Sequence, residues 1–218
     1  MFSLIQAAGW PVWFLIAASV AAVALIVERF ISLKRAKVLP PRLLDEVLIL
    51  HRSQQITPEM IQRLEANSPL GRVFASGLRM ELAPRDVMKE AMEETGRGVA
   101  HELEKYLPAL GTIAATAPLM GLFGTVTGMI DVFRTIAQSG VGHASELSGG
   151  ISQALVTTAF GLLVAIPALV AYNYYQAKVD SMVTDLERES LRVIRAVYMV
   201  SEAEPERAVA EPQAAAGD

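Results

Sequence analysis

Two stretches of this chain exclude every side chain that is charged near neutral pH: Leu107–Ile130 and Leu147–Tyr175 contain no Asp, Glu, Lys, Arg or His. A helix rises about 1.5 Å per residue, so roughly twenty residues cross the hydrocarbon core of a bilayer, and each stretch is long enough to do so. Their content is unlike that of a simple anchor. Gly, Ala, Thr and Pro recur at helical spacing where Leu and Ile would ordinarily stand, which marks helices made to pack closely against something.

A third apolar span opens the chain, where residues 1–27 carry no charge and Trp10 and Trp13 stand at the place of an interfacial aromatic belt. A removable leader is not expected there. No Lys or Arg precedes the apolar run, and Glu28-Arg29 followed by Lys34, Arg35 and Lys37 forms a stop-transfer pattern. Mean hydropathy is +0.36 with a formal net charge of −4, and the apolar residues are gathered into spans, as in a polytopic membrane protein. Cysteine is absent, which excludes disulfides and thiolate metal sites.

The basic residues predict the orientation. Thirteen of the 19 Lys and Arg lie from Arg29 to Lys105 and five from Lys178 onward, whereas Arg134 alone stands in the connection Asp131–Glu146. The positive-inside rule then puts the N-terminus outside and the C-terminus inside, with an external hairpin joining the second and third spans.

Proline sets the predicted helix ends. The first helix is expected to run on through Val27–Val38 and stop at Pro40-Pro41. Residues 42–52 read as a short amphipathic helix. Thr57-Pro58 and Ser68-Pro69 each pair a capping residue with proline at the first helical position, so helices should begin at both. From Pro84 a charged helical pattern leads into the second span, read as one helix of about fifty residues. Beyond Lys178, Val179, Val183, Leu186, Val193, Ile194 and Val197 keep three- and four-residue spacing among charged residues, the pattern of a helix packed on neighbours in water. The expected division is a first span 1–27, a cytoplasmic helical domain 28–106, a second span 107–133, a short periplasmic connection 134–146, a third span 147–176, a cytoplasmic helix 177–200 and a disordered tail 201–218, rich in Ala, Glu and Pro. The fold class is an all-α membrane protein with three transmembrane helices, N-out and C-in, whose long helices extend into a cytoplasmic helical domain.

Small residues define faces on the two charge-free helices. In the third span Gly150, Ala154, Thr157, Gly161, Ala165 and Ala168 share one face at about 100° per residue, with Gln153 and Thr158 at its edges. In the second, Gly111, Ala115, Pro118, Thr125 and Gly121 share another, and Gly124 and Gly128 form a GxxxG step. Helix packing is the expected role of the Gly and Ala positions. Thr112, Thr116 and Thr127 are expected to bond carbonyls of their own helix. Thr125 and Thr158, with Gln153 and Thr157, are the candidates for a polar path, because each lies on or beside a small-residue face. Pro118 and Pro167 each free a carbonyl, giving either a simple kink or an extra acceptor. Asp131 and Arg134 read as an interfacial ion pair.

Other chemistries are not indicated. His51, His101 and His143 are scattered, without metal-ligand spacing, and neither a phosphate loop nor a nucleophile elbow is present. There is no basic patch for nucleic acid, no cofactor is implied, and an enzyme is not expected. A proton path through a membrane ordinarily needs an ionisable group near its middle, and these spans have none. A conducting role would require a partner to bring the carboxylate.

The run from Pro118 to Gly128 (PLMGLFGTVTG), with Gly150–Ala159 (GISQALVTTA) and Gly161–Asn173 (GLLVAIPALVAYN), closely resembles the MotA/TolQ/ExbB proton-channel family on its ExbB/TolQ side. The resemblance covers the three spans and the cytoplasmic helices. It implies a pentamer around a central pore that holds ExbD/TolR-like single-span partners, whose membrane Asp carries the proton. It further implies a bacterial inner-membrane location with a periplasmic N-terminus, and coupling to a TonB-like or TolA-like protein. By motif position Thr125 and Thr158 match the family's pore threonines, and Pro118 and Pro167 its paired prolines. Gln153 departs from the Glu of many members, leaving hydrogen bonding and no protonation at that position. A TonB-linked role in outer-membrane uptake, a Tol–Pal role in envelope maintenance and a non-conducting scaffold for a single-span partner remain open, as does Na⁺ in place of H⁺. A flagellar-type stator, with four spans, fits the pattern less well.

Overall fold

The computed structural model describes residues 11–53, 55–139 and 144–214, with side chains described for 11–53, 55–138 and 148–198. Eight α-helices account for nearly all of them, and there is no strand among the described residues. They are α1 (Pro11–Ser32), α2 (Arg35–Val38), α3 (Leu43–Arg52), α4 (Pro58–Asn67), α5 (Pro69–Leu78), α6 (Arg85–Glu104), α7 (Leu107–Ser139) and α8 (Ala144–Ala214). The chain divides into two compact units. One takes the chain up to Ile31 with Lys105–Ala177, and the other takes Ser32–Glu104 with the chain from Lys178 onward.

The first unit is built from α1, α7 and the first half of α8. Among the described residues three helices are long and apolar enough to cross a membrane, and the protein is an all-helical membrane protein. Large apolar side chains such as Val20, Leu119, Leu163 and Val170 are exposed on them, an outward apolar surface that suits lipid and is disfavoured in water. Inside the unit, Leu15 of α1 is buried against Ala117 of α7 and Ala165 of α8, with Met120, Phe160 and Val164 around them. At another level the Tyr175 hydroxyl donates to the carbonyl of Ile26 at 3.0 Å, which ties α8 to α1.

The second unit is a layered helical domain. Thr57 and Ser68 cap α4 and α5 as expected, accepting from the backbone N–H of Met60 at 3.4 Å and of Gly71 at 3.0 Å. Helix α5 supplies the centre, with Val73, Phe74 and Ala75 fully buried. Met88, Met92 and Val99 of α6 turn inward, as do Val179, Leu186, Val193, Ile194 and Val197 of α8, so the expected apolar stripe is buried except at Val183, which is half-buried. The Arg35 guanidinium of α2 donates to Asp185 of α8 at 2.6 Å.

Four expected boundaries are corrected. The helix through Val38 is broken at Leu33-Lys34: Leu33 is fully buried, and Lys34 takes extended backbone before α2. Satisfying the core at Leu33 outweighs one more turn of helix. The fifty-residue helix from Pro84 is likewise two helices, because Tyr106 adopts φ 74°. In a continuous helix the ring of Pro108 would meet the carbonyl of Glu104, and the left-handed turn at Tyr106 removes that clash. Helix α7 runs past 133 to Ser139 and α8 begins at Ala144, so little of 134–146 is irregular; residues 140–143 lie outside the described residues. The first span is seen only from Pro11, residues 1–10 lying outside the described residues. Finally, α8 continues to Ala214 where a disordered tail is expected from 201. Its Ala, Glu and Arg residues have high helix propensity; the side chains after Tyr198 and residues 215–218 lie outside the described residues.

Candidate functional site: the seam between α7 and α8

The small-residue face read on the third span meets α7, but the face of α7 that receives it carries Ala117, Gly121, Gly124 and Gly128, whereas Ala115 of the expected face is exposed and Pro118 and Thr125 are half-buried at the edge. Gly121 lies against Thr157, Thr158 and Gly161, Gly128 against Ala154, and Gly150 against Val132, so partners descend on α8 as they ascend on α7 and the helices are antiparallel. Contact is at backbone level. A Cβ on Gly161 would stand 2.7 Å from the carbonyl oxygen of Ala117, closer than real side chains come, and 3.0 Å from the Cα of Gly121. Ala154, Ala165 and Ala168 are buried in the same seam. Gly111 extends it, with the ring of Tyr172 lying over its Cα side. The glycines exist because nothing larger leaves room for the opposing helix.

The hydroxyls divide by partner. Thr112 and Thr116 donate to the carbonyls of Pro108 and Thr112, each at 2.8 Å, and Thr127 to Phe123 and Gly124, all on their own helix. Thr157 is completely buried, with its methyl in the notch of Gly124 and its hydroxyl donating to the carbonyl of Gln153 at 2.9 Å. Thr125 donates to Leu122 at 2.6 Å. Thr158 crosses the seam and donates to the carbonyl of Gly121 at 3.0 Å. Sequence reasoning placed Thr158 at the edge of a face but missed Gly121 as its acceptor, for an acceptor 37 residues away leaves no local signal.

Exposure separates these positions further. Thr125, Thr158 and Gln153 are partly exposed at the edges of the seam, whereas Thr157 lies in its interior. Pro118 is partly exposed within α7 and Pro167 exposed within α8, and both helices continue through them. Lacking an N–H, they leave the carbonyls of Ala114 and Leu163 without a helical donor. Asp131 and Arg134 pair at 3.7 Å, both largely exposed.

A cationic and aromatic cluster marks one end of this unit. Arg29 of α1 is buried to 3% exposure, its guanidinium 5.2 Å from the centroid of the Tyr106 ring and hydrogen-bonded to Glu28 at 2.8 Å. Lys105 approaches the same ring at 5.0 Å. Among the described residues no group of three His, Asp or Glu side chains gathers as a metal site would require. The seam therefore presents hydroxyl and carbonyl oxygens within an apolar wall.

Fold and seam thus define an all-helical membrane protein, with two charge-free helices closely paired and threonine oxygens at the edge of the pair. Residues 65–188 match the MotA/TolQ/ExbB proton channel family, and the chain belongs to that family. It is similar to an ExbB-like biopolymer transport protein of Synechocystis sp., 34% identical over 73% of this chain and 77% of that protein. It is similar as well to the biopolymer transport protein ExbB of Aquifex aeolicus, 35% identical over 52% of this chain and 76% of that one. With the Tol-Pal system protein TolQ of Pseudomonas aeruginosa it shares 42% identity, over 38% of this chain and 36% of the relative.

Proposed function

We propose that this protein is the channel subunit of a proton-driven motor in a bacterial inner membrane, with its N-terminus periplasmic and its C-terminus cytoplasmic. Several copies, five by family resemblance, surround a pore that receives an ExbD/TolR-like single-span partner, and the partner's membrane Asp is the proton carrier. Thr125 and Thr158 line its path, Gln153 contributes hydrogen bonding at the edge, and Pro118 and Pro167 shape the wall. Thr157 and the small residues Gly121, Gly124, Gly128, Gly150, Ala154, Gly161 and Ala165 hold the two lining helices together. The work done is TonB-dependent uptake across the outer membrane, transmitted through a TonB-like protein, while membrane lipids cover the outer apolar faces. No catalytic, cofactor or metal role is assigned.

One observation carries this reading: two partly exposed threonines stand at the edge of a close-packed seam without an Asp, Glu, Lys, Arg or His between Leu107 and Ile130 or between Ser148 and Ala177. Such a wall needs another chain's acid, and each proton crossing it is driven by roughly 2.3 kcal/mol per 100 mV. Proteoliposomes holding this chain with a single-span partner bearing a membrane Asp test it. Proton uptake that needs both chains, and that disappears on Thr158→Val with assembly retained, supports a channel; uptake unaffected by that change leaves a scaffold. A Tol–Pal role, with a TolA-like protein in place of the TonB-like one, is the second reading, and the similarity to TolQ favours it. Complementation of strains lacking either system separates the two.

A further inference from the structure

In the second unit, residues 79–84 join α5 to α6 and are held by side chains from three other helices. Arg79 pairs with Glu65 of α4. The Tyr198 hydroxyl of α8 donates to the carbonyl of Ala83 at 2.6 Å. Nδ1 of His51, the penultimate residue of α3, stands 2.9 Å from Oε1 of Glu81. Within the turn itself the Glu81 N–H reaches the carbonyl of Leu78 only at 3.3 Å and the Ala83 N–H that of Met80 at 3.0 Å, and Leu82 is fully exposed at the tip. We propose that His51 and Glu81 form a pH-sensitive clasp, which fixes this turn more firmly as the surrounding solution passes from alkaline to mildly acidic.

Of the three ties, this one has a partner whose charge changes near neutral pH. A guanidinium stays charged and a phenol neutral across that range, whereas an imidazole takes up its second proton between about pH 8 and pH 5. A neutral imidazole with its proton on Nδ1 already donates to the carboxylate. The second proton goes to Nε2, leaves that bond in place and makes it charge-assisted, roughly twice as strong. Burial keeps the gain from being screened away, for the His51 side chain is only 10% exposed. Other charged groups on the segments that meet there are engaged elsewhere or lie in solvent. Arg79 is held by Glu65, and on α8 Arg192 pairs with Glu189. Asp45, Glu46 and Arg52 of α3, Glu59 and Arg63 of α4, Arg85 and Asp86 of α6 and Arg195 of α8 are exposed. On the cytoplasmic side proposed above for this unit, protons delivered by the channel would tighten the clasp where they emerge. That use rests on the channel reading; the clasp does not.

The test is amide exchange at Glu81 and Ala83 in the full chain in detergent, at about pH 8 and about pH 5.5 on either side of imidazole titration, corrected for the intrinsic pH dependence of exchange. Protection should rise about three- to tenfold at the lower pH. His51→Gln keeps a donor that cannot gain charge and Glu81→Gln removes the carboxylate, so each should abolish the rise. Arg79→Gln should loosen the turn at both pH values and leave the rise in place. Should the His51 and Glu81 variants not fold, the ring resonances of His51 in the unaltered chain decide: their titration midpoint must coincide with that of the amide protection. Equal protection at the two pH values, a rise that survives Glu81→Gln, or midpoints that differ overturn the clasp. The measurement needs neither partner nor proton flow, so a complex that fails to conduct loses the channel reading and the feedback, whereas a turn indifferent to pH loses this inference alone.

Discussion

The methyl of Thr157 fills the notch left by Gly124: a Cβ on Gly124 would lie 2.8 Å from the Cβ of Thr157, closer still to its methyl. Knob and notch come from opposite helices of the seam, and neither backbone has room to retreat because Gly121 and Gly128 make similar contacts on either side. Gly124→Ala is expected to lower stability by about 1–3 kcal/mol through overpacking. Adding Thr157→Ser, which removes the methyl and keeps the hydroxyl for Gln153, should recover more than half of that loss. Thermal unfolding in detergent of the two single variants and the double one checks it, and additive losses would contradict the knob-and-notch relationship.

Tyr106 combines a left-handed backbone, φ 74°, with a ring facing the Arg29 guanidinium at 5.2 Å. Bulky residues adopt that conformation at a cost of about 1–2 kcal/mol, which the ring's contacts offset. Tyr106→Phe keeps the ring and should be neutral within about 0.5 kcal/mol. Tyr106→Ala keeps the strain and loses the ring, giving a loss of about 1–2 kcal/mol. Tyr106→Gly relieves the strain as it removes the ring, so it should be the milder of the two truncations. The ranking Phe, Gly, Ala in melting temperature is the measurement.

These two sites show what could be read beforehand. Thr57-Pro58 and Ser68-Pro69 announced their helices because a cap is decided within four residues, and the three spans announced themselves by lacking charge over a bilayer's width. The break at Tyr106 was missed although Pro108 signalled it; a charged helical pattern on one side and an apolar one on the other looked continuous. The α8 face was legible, but on α7 the expected face included the exposed Ala115 and omitted Ala117; the meeting of the helices depends on tertiary register, so the pairings of Gly124 with Thr157 and of Gly121 with Thr158 were not legible. Nor was the burial of Arg29, whose sequence neighbours suggested only a membrane-edge charge.

In the second unit Arg72 donates to Glu102 at 2.8 Å, and this hydrogen bond, outweighing partial burial, raises the Arg72 pKa above its ordinary value. A raised folded-state value means the contribution is complete below the ordinary arginine range and is lost only above it. The arginine therefore adds no pH dependence across the neutral range. Both side chains are substantially exposed, so Glu102→Gln should cost less than about 1 kcal/mol, and less again at high salt. Chemical denaturation at low and high salt checks both statements.

The two capped helices should respond unequally to the same change. Ser68 is buried at 6% exposure and its hydroxyl accepts from Gly71 at 3.0 Å, while Thr57 is exposed and its acceptance from Met60 is long at 3.4 Å. Water can replace the Thr57 oxygen and cannot easily reach the Gly71 N–H, which Ser68→Ala would leave buried and unpaired. Ser68→Ala should therefore cost about 1–2 kcal/mol and Thr57→Ala about 0.5 kcal/mol. Gly71 sharpens the contrast: a Cβ there would meet the Leu64 backbone, 3.1 Å from its carbonyl carbon, so α5 cannot shift towards α4 to recover a partner. Amide exchange at Gly71 is the direct reading, accelerated in Ser68→Ala and unchanged in Thr57→Ala; equal acceleration in both would mean the caps act through general loosening of the unit rather than through the buried N–H.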